Sequence, residues 1–418
     1  MPAHMPAHMP AHMPAHMPAH MPAHMPTETR GSTHDRVGSL NVASPQMIAL
    51  GRRLIANSIA GVTDLGEGTY IGDGSMFTDP ARLEVEREIL FRQTPQVIAW
   101  AGDLADPGDV VARDVAGVPV VVTRDEDGEL HAFLNACTHR GMTLCDGVDT
   151  MRRLTCPYHG WSFGLDGALR GVPQRDRFPG FDLASAGLQP LPVSEQCGLI
   201  VVGLRPEVEV DGFLDPLGEE YSWLGYERYR SGSERTFHNA TNWKLTVDLN
   251  VEAYHVPSLH RDSLLPFLAD HCAVDTFGPH CRMAVPFKGI ERMADMAEEE
   301  WPDRLDTIMV TCIFPATVMV DHVGGGGSLH RISPGRRPGE STVHLIEGSP
   351  GIRDADHLSS CEAVMEVNVD ILSGEDYPAT EACQRGYEGG SRPVVGGAGE
   401  PLIGHLHTTW DAAIADAL

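Results

Sequence analysis

The chain has 418 residues, 42% of them apolar, which is enough for two sizeable cores and too long for one small module. Its 58 acidic residues against 31 basic ones give a formal charge of −27 with no Lys/Arg cluster, so nucleic acid and anionic membrane are excluded as natural partners. No apolar run reaches the length of a membrane span, and nine cysteines without a paired framework point to the cytoplasm.

Residues 1–26 are six copies of Met-Pro-Ala-His followed by Met25-Pro26. A proline every fourth residue removes helix donors, so a disordered tail is expected, most simply a repeat expansion or sequence upstream of the true start. Residues 27–75 are rich in Gly, Ser and Thr and read as a flexible, loosely packed arm with one helix around Gln46–Ile59. A second helix should start at Asp79, a candidate N-cap, with Pro80 in its first position. It runs through Arg82–Phe91, and the segment 76–96 is assigned to the catalytic domain.

From Val97 the pattern changes to short strands: Val110–Val111, Val118–Val122, His131–Leu134, Trp161–Phe163 and Leu199–Leu204. These define an all-β domain over 97–205. The remainder, 206–418, mixes helices at about 242–256, 288–300 and 354–372 with strands Met309–Phe314, Thr317–Asp321, Ser328–Ile332 and Thr342–Glu347. The expected class is α+β, an antiparallel sheet with helices on one face, helix-grip-like. The Gly324–Gly327 run lacks the Lys-Ser/Thr of a phosphate loop and joins two strands, so it reads as a turn.

Two loops carry the first site, Cys137-Thr138-His139-Arg140-Gly141 and Cys156-Pro157-Tyr158-His159-Gly160-Trp161, with sixteen residues between His139 and Cys156. One thiolate and one imidazole per loop suit a [2Fe–2S] cluster with two Cys on one iron and two His on the other. Zinc also takes Cys₂His₂, but zinc knuckles place both Cys together and both His together. The pattern is the Rieske signature. Respiratory Rieske proteins carry a further Cys in each loop, paired as a disulfide. Here Tyr158 occupies one such place and Cys145 lies too far along for the other, which favours the oxygenase type. The remaining cysteines, Cys197, Cys272, Cys281, Cys312, Cys361 and Cys383, read as small core or surface residues.

A second site begins at Asn242-Trp243-Lys244 and reaches His255, read as one helix, with His260 five residues on. On an unbroken helix that spacing sets two side chains roughly 140° apart, so Pro257 must break it and bring His260 round. Two imidazoles and a carboxylate form a facial triad for Fe(II) with open positions. Asp376 is the best carboxylate candidate, with Glu375, Asp370 and Glu381 as competitors. Tyr254 reads as core packing, and Asp248 as either a partner of the site or an exposed residue.

Over residues 80–418 the chain resembles the oxygenase α subunit of the Rieske non-haem iron, aromatic-ring-hydroxylating family. C-x-H-R-G…C-P-Y-H-G-W-S-F is similar to the family's cluster loops, N-W-K…E-x-Y-H-x-x-x-x-H to its ligand helix, and E-D-x-x-x-x-E-x-x-Q-R-G to its C-terminal carboxylate helix. The resemblance implies that His255, His260 and Asp376 ligate the catalytic iron. It also implies a homotrimer in which His159 of one subunit approaches Glu252 of the next, Glu252 bridging the two sites for electrons. Many relatives have Asp there.

The implied activity is that of an oxygenase using O₂ and NAD(P)H electrons delivered by a separate reductase, with or without a ferredoxin. No flavin or nicotinamide fingerprint is present. cis-Dihydroxylation of an aromatic or other small organic substrate is the first reading. Monooxygenation or demethylation of a non-aromatic or quaternary-amine substrate is the alternative, and an electron-transfer protein with a vestigial second site is a third. A β subunit is left open. Phe267, Phe277, Phe287 and Phe314 are candidate pocket residues, and with aromatic residues at 6% no aromatic cage can be argued.

Overall fold

The computed structural model describes residues 44–417 apart from 222–223, 303, 323–324, 352 and 391, and for 219–220 only the backbone. The Met-Pro-Ala-His tail, the first part of the expected arm and Gly324 of the Gly324–Gly327 turn lie outside the described residues.

The expectation of a loose arm fails from Pro45 onward. Helix α1 (Pro45–Ala60) starts where Ser44 Oγ accepts from Met47 N, and its Met47, Leu50, Leu54 and Ile55 are buried. They repeat at helical spacing and face Trp301 and Leu305 in one core. Helix α2 (Pro80–Glu86) is capped by Asp79, as its sequence signals, and continues as a π-helical turn through Arg92.

Three small antiparallel sheets follow. The largest runs in the order Pro190–Leu191, Leu130–Leu134, Val118–Arg124, Asp109–Val115, Gly147–Thr150. Gln96–Trp100 and Val193–Gln196 flank Leu199–Val202 in the second. Leu154–Thr155, Ser162–Phe163 and Leu169–Gly171 form the third.

Beyond the short helix α3 (Gly218–Tyr221), a seven-stranded antiparallel sheet dominates. Its order is Tyr229–Asn239, Ser341–Pro350, Gly327–Pro334, Thr317–Asp321, Thr307–Ile313, His280–Pro286, Ala273–Phe277. Alternation divides its residues between two cores. Met309, Ile313, Met319, Leu329 and Ile346 face α1, Trp100 and Tyr229, whereas Val310, Cys312, Val318, Val343 and Leu345 face the helices. The cluster-loop region docks on the first face: Arg331 donates to Val97 O at 3.0 Å and Asp114 O at 2.9 Å, and Arg113 pairs with Glu234.

The helical face is built by α4 (Trp243–Asp248), α5 (Val256–Leu259), α6 (Ala355–Ile371), α7 (Tyr377–Glu388) and α8 (Pro401–Ala417). Two expectations are corrected. The helix read over 242–256 stops at Asp248, because Asn250 Nδ2 takes the Thr246 carbonyl at 2.7 Å and the next turns close at three residues. The helix read over 288–300 is two 3₁₀ turns, Ile290–Asp295 and Glu298–Glu300. Tyr254, expected in the core, is 78% exposed. Of the four phenylalanines, Phe267 is exposed and Phe277 packs against the opposite core, so only Phe287 and Phe314 lie on the helical side.

Candidate iron sites

The two cluster loops repeat one backbone design. The carbonyl of Cys137 accepts from Gly141 N at 2.7 Å, and that of Cys156 from Gly160 N at 3.0 Å. Both glycines have φ near +70°, at 75° and 72°, a conformation side-chain-bearing residues resist. Cys137 N and Cys156 N reach five residues on, to Met142 O and Trp161 O, closing each loop. Asn135 pins the first loop from inside, donating to Cys145 O and accepting from Leu144 N.

Each loop therefore presents one thiol and one imidazole. Cys137 and Cys156 are both 2% exposed, and burial, together with the neighbouring Cys156 sulfur, holds the Cys137 thiol above its usual range. The His139 and Arg140 amides pull the other way, donating to that sulfur as they would to a cluster thiolate. The His139 and His159 ring centroids lie 4.6 Å apart, and Trp161 stacks on His139 at 4.9 Å. His139 Nδ1 is buried without a hydrogen-bond partner. Such an orphan is what a metal ligand leaves behind when only protein atoms are counted. Two thiols, two imidazoles and that orphan fit a [2Fe–2S] cluster. Cys145 stands apart with its thiol pushed up to about 11 by burial, and all nine cysteines are free.

At the second site the structure brings together His255, His260 and Asp376, whose candidate donor atoms all lie within 4.8 Å of one another. His255 ends the irregular turn after α4, Pro257 opens α5, and His260 caps it. Asp376 sits where a π-helical turn, Leu372–Asp376, joins α6 to α7. Its Oδ1 lies 2.9 Å from His260 Nε2 and 3.9 Å from His255 Nε2. The closer approach lacks hydrogen-bond geometry, and Oδ1 counts as a buried atom without a partner. Three acceptor-capable atoms that converge in this way fit a cation.

The far ring nitrogens are held by carboxylates. Glu252 takes His255 Nδ1 and also accepts from His255 N at 3.0 Å, while Glu375 takes His260 Nδ1 and accepts from Ser263 Oγ at 2.7 Å. Carboxylates in these positions fix the tautomer that turns Nε2 inward. Glu375, considered above as a rival ligand, instead holds the Nδ1 of His260. Asp370 is exposed and Glu381 accepts from Ala240 N. Asp248 does not bond the bridge; His407 Nε2 holds both its oxygens at 3.0 Å. Asn242 and Gln384, each from a motif used for recognition, are structural pins: Gln384 Oε1 accepts from Asn242 N and both amides donate to Phe77 O.

The family model described as "Rieske [2Fe-2S] domain" matches residues 94–186, and "Ring hydroxylating alpha subunit (catalytic domain)" matches residues 226–416. The carnitine monooxygenase oxygenase subunit of Acinetobacter baumannii is 30% identical over 207 residues, 48% of this chain and 54% of that one. Choline monooxygenase of Spinacia oleracea is 26% identical over 333 residues, 77% of this chain and 73% of that one. The anthranilate 1,2-dioxygenase large subunit of Acinetobacter baylyi is 31% identical over 218 residues, 49% and 46%. The chain spans about half the length of the first curated relatives it matches. Among solved structures, a quaternary ammonium Rieske monooxygenase with L-carnitine superposes with a TM-score of 0.67 at 21% identity, covering 89% of this chain and 98% of that one. Naphthalene 1,2-dioxygenase with indole gives 0.63 at 18% identity, covering 82% and 92%. These likenesses establish the fold. The chain joins a Rieske [2Fe–2S] domain to a ring-hydroxylating α-subunit catalytic domain, the domain pair of the Rieske non-haem iron oxygenase family.

Proposed function

We propose that the protein is the oxygenase component of a multicomponent system that inserts oxygen from O₂ into a small polar substrate, with NAD(P)H electrons supplied by a separate reductase. The observation that carries this reading is the presence of two complete donor sets in one chain. Cys137, His139, Cys156 and His159 would hold the cluster, and His255, His260 and Asp376 the mononuclear iron. When bound, the cluster supplies single electrons and the iron a site for O₂ activation.

The chain's own residues prepare that chemistry. Glu252 and Glu375 hold protons at the Nδ1 atoms of His255 and His260, keeping each Nε2 free and aimed inward. Asp376, 5% exposed, adds one negative charge where water is largely excluded.

His159 is exposed at its loop tip, with Tyr158 59% exposed beside it, and Tyr254 is 78% exposed next to His255. Exposed aromatics at both sites favour a homotrimer in which one subunit's His159 meets the next subunit's Glu252. A cytoplasmic location belongs to the same proposal; among the described residues no helix is long and apolar enough to cross a membrane.

Monooxygenation of a quaternary amine is favoured over dihydroxylation of a plain aromatic hydrocarbon. Support comes from relatives printed as carnitine, glycine betaine and choline monooxygenases. The test is iron and acid-labile sulfide per chain on anaerobically purified protein, followed by reductase-driven O₂ uptake with such amines. Three irons, two sulfides and amine-dependent uptake are expected. Two irons and two sulfides, with no ferrous iron regained on reconstitution, would leave only an electron carrier.

A further inference from the structure

A second polar cluster lies on the helical side of the seven-stranded sheet, away from the iron ligands. Ser328 and His330 share that face of Gly327–Pro334, and Glu347 shares it on the adjacent strand. Glu347 is 1% exposed, yet among the described residues neither Arg nor Lys pairs with it. Its oxygens take Ser328 Oγ at 2.8 and 2.9 Å and Asn368 Nδ2 at 2.6 Å, with His322 Nε2 at 3.4 Å. Beside them lies His330, 5% exposed.

The cluster and the iron ligands share a wall. Asn368, Leu372 and Asp376 follow at four-residue steps along α6 and its π-helical extension, so they look toward the same side. Eight residues at the ordinary helical rise put the cluster about 12 Å from Asp376. Ile308, Val320, Phe287, Leu264 and Val369 are partly buried apolar side chains packed against the core on this same helical side.

We propose that Glu347 is the counter-ion for a quaternary ammonium group of the substrate, and so sets its class; this rests on the oxygenase reading above. A carboxylate buried without a cation is costly, and a bound ammonium offsets that cost. Hydrogen-bond donors already crowd the Glu347 oxygens, so what it offers a ligand is charge more than acceptor geometry. A quaternary ammonium, which donates no hydrogen bond, uses that offer better than a primary amine does. His330 and His322 leave polar ring edges for an uncharged polar group on the same ligand.

The test compares binding of choline with that of its neutral carbon isostere, 3,3-dimethylbutan-1-ol, to the full-length, cluster-loaded protein by calorimetry, without turnover. Wild type should bind choline roughly tenfold or more tightly than the isostere, the scale set by an unscreened charge pair. Glu347→Gln removes the charge, and Asn368→Lys puts a cationic side chain on the residue that now donates to Glu347 at 2.6 Å. Either variant should bring the ratio near one with cluster spectrum and iron content unchanged, and the second stands in should the first fail to fold. Equal binding of the two ligands by wild type, or an unaltered ratio in the variants, overturns the proposal. O₂ uptake is scored separately: charge-selective binding without uptake sinks the oxygenase reading and spares the site, and uptake without selectivity does the reverse.

Discussion

Lys244 Nζ lies 2.7 and 2.8 Å from the two carboxylate oxygens of Glu86, with both side chains shut away from water. Arg82 and Trp243 Nε1 complete the coordination of Glu86, so α2 is bolted to the helix that leads into the iron site. Removing one partner of such a pair strands the other. Lys244→Met should cost on the order of 3 kcal/mol of stability, measured by urea unfolding.

The same pair gives a pH signature. Burial lowers the Lys244 pKa to about 8, against its ordinary 10.5, with Glu86 opposing the shift. Between those values the unfolded chain binds more protons than the folded one, so this group's contribution to stability grows as pH rises from about 8 toward 10.5 and is least below about 8. The stability gap between wild type and Lys244→Met should therefore widen between pH 7.5 and 9.5. A constant gap would mean that the lysine stays fully charged in the fold.

His280 acts at the acid end. Its Nε2 donates to Phe213 O at 3.0 Å and its Nδ1 accepts from Phe314 N at 3.1 Å, a pattern only the neutral ring can satisfy. Burial, chiefly, lowers its pKa to about 4 from 6.5. The unfolded state takes the proton first, so stability falls as pH drops from about 6.5 toward 4, by about 2 kcal/mol at pH 5. His280→Asn, which cannot titrate, should flatten the wild-type slope in that window in urea unfolding.

Those two groups lie where sequence reasoning had little to use, and the contrast with the cluster loops is instructive. Each loop is local: Cys, His and a glycine within five residues fix both the ligands and the turn that presents them, so residue types alone reveal the site. Glu375 reaches His260 across 115 residues, and nothing near either one signals the contact. The strand Tyr229–Asn239 was invisible for a different reason. Its Glu234 meets Arg113 of the cluster domain and its Arg235 meets Glu362 of α6, so both faces are polar and the usual alternation is absent. The helix expected over 242–256 had apolar periodicity through Val251, and it was a side-chain cap, Asn250, that ended it. α1 declares itself a helix by its own pattern, but its packing does not show in the sequence, because its partners Trp301 and Leu305 lie some 250 residues away.

Glu375→Ala should expose that long-range role. Without it His260 Nδ1 loses its acceptor, and Ser263 Oγ, 3.4 Å away, is a poor substitute. Affinity for the mononuclear iron should fall about 10–100-fold, the usual effect of removing a residue that orients a metal-bound histidine. Ferrous iron titration monitored against an unchanged cluster spectrum reads this directly. Undiminished affinity would show that His260 keeps its orientation without Glu375.

Glu252 carries the sharpest test because two roles meet in it. It holds His255 through both the ring and the backbone amide, and the proposed trimer makes it the electron path from the neighbouring His159. Glu252→Gln keeps the length and can still accept from the amide, but it cannot serve both contacts as a carboxylate does. If Glu252 is a path, steady-state turnover should fall about 10–100-fold while iron occupancy and the cluster spectrum hold. Reoxidation of the pre-reduced cluster, followed in rapid mixing with O₂ and substrate, should slow by the same factor. A positioning role alone predicts a different pattern, in which turnover drops in proportion to lost iron and excess ferrous iron restores it. Slow cluster reoxidation at full iron occupancy is the one outcome that positioning cannot produce, so that pair of measurements separates the two roles within a single variant.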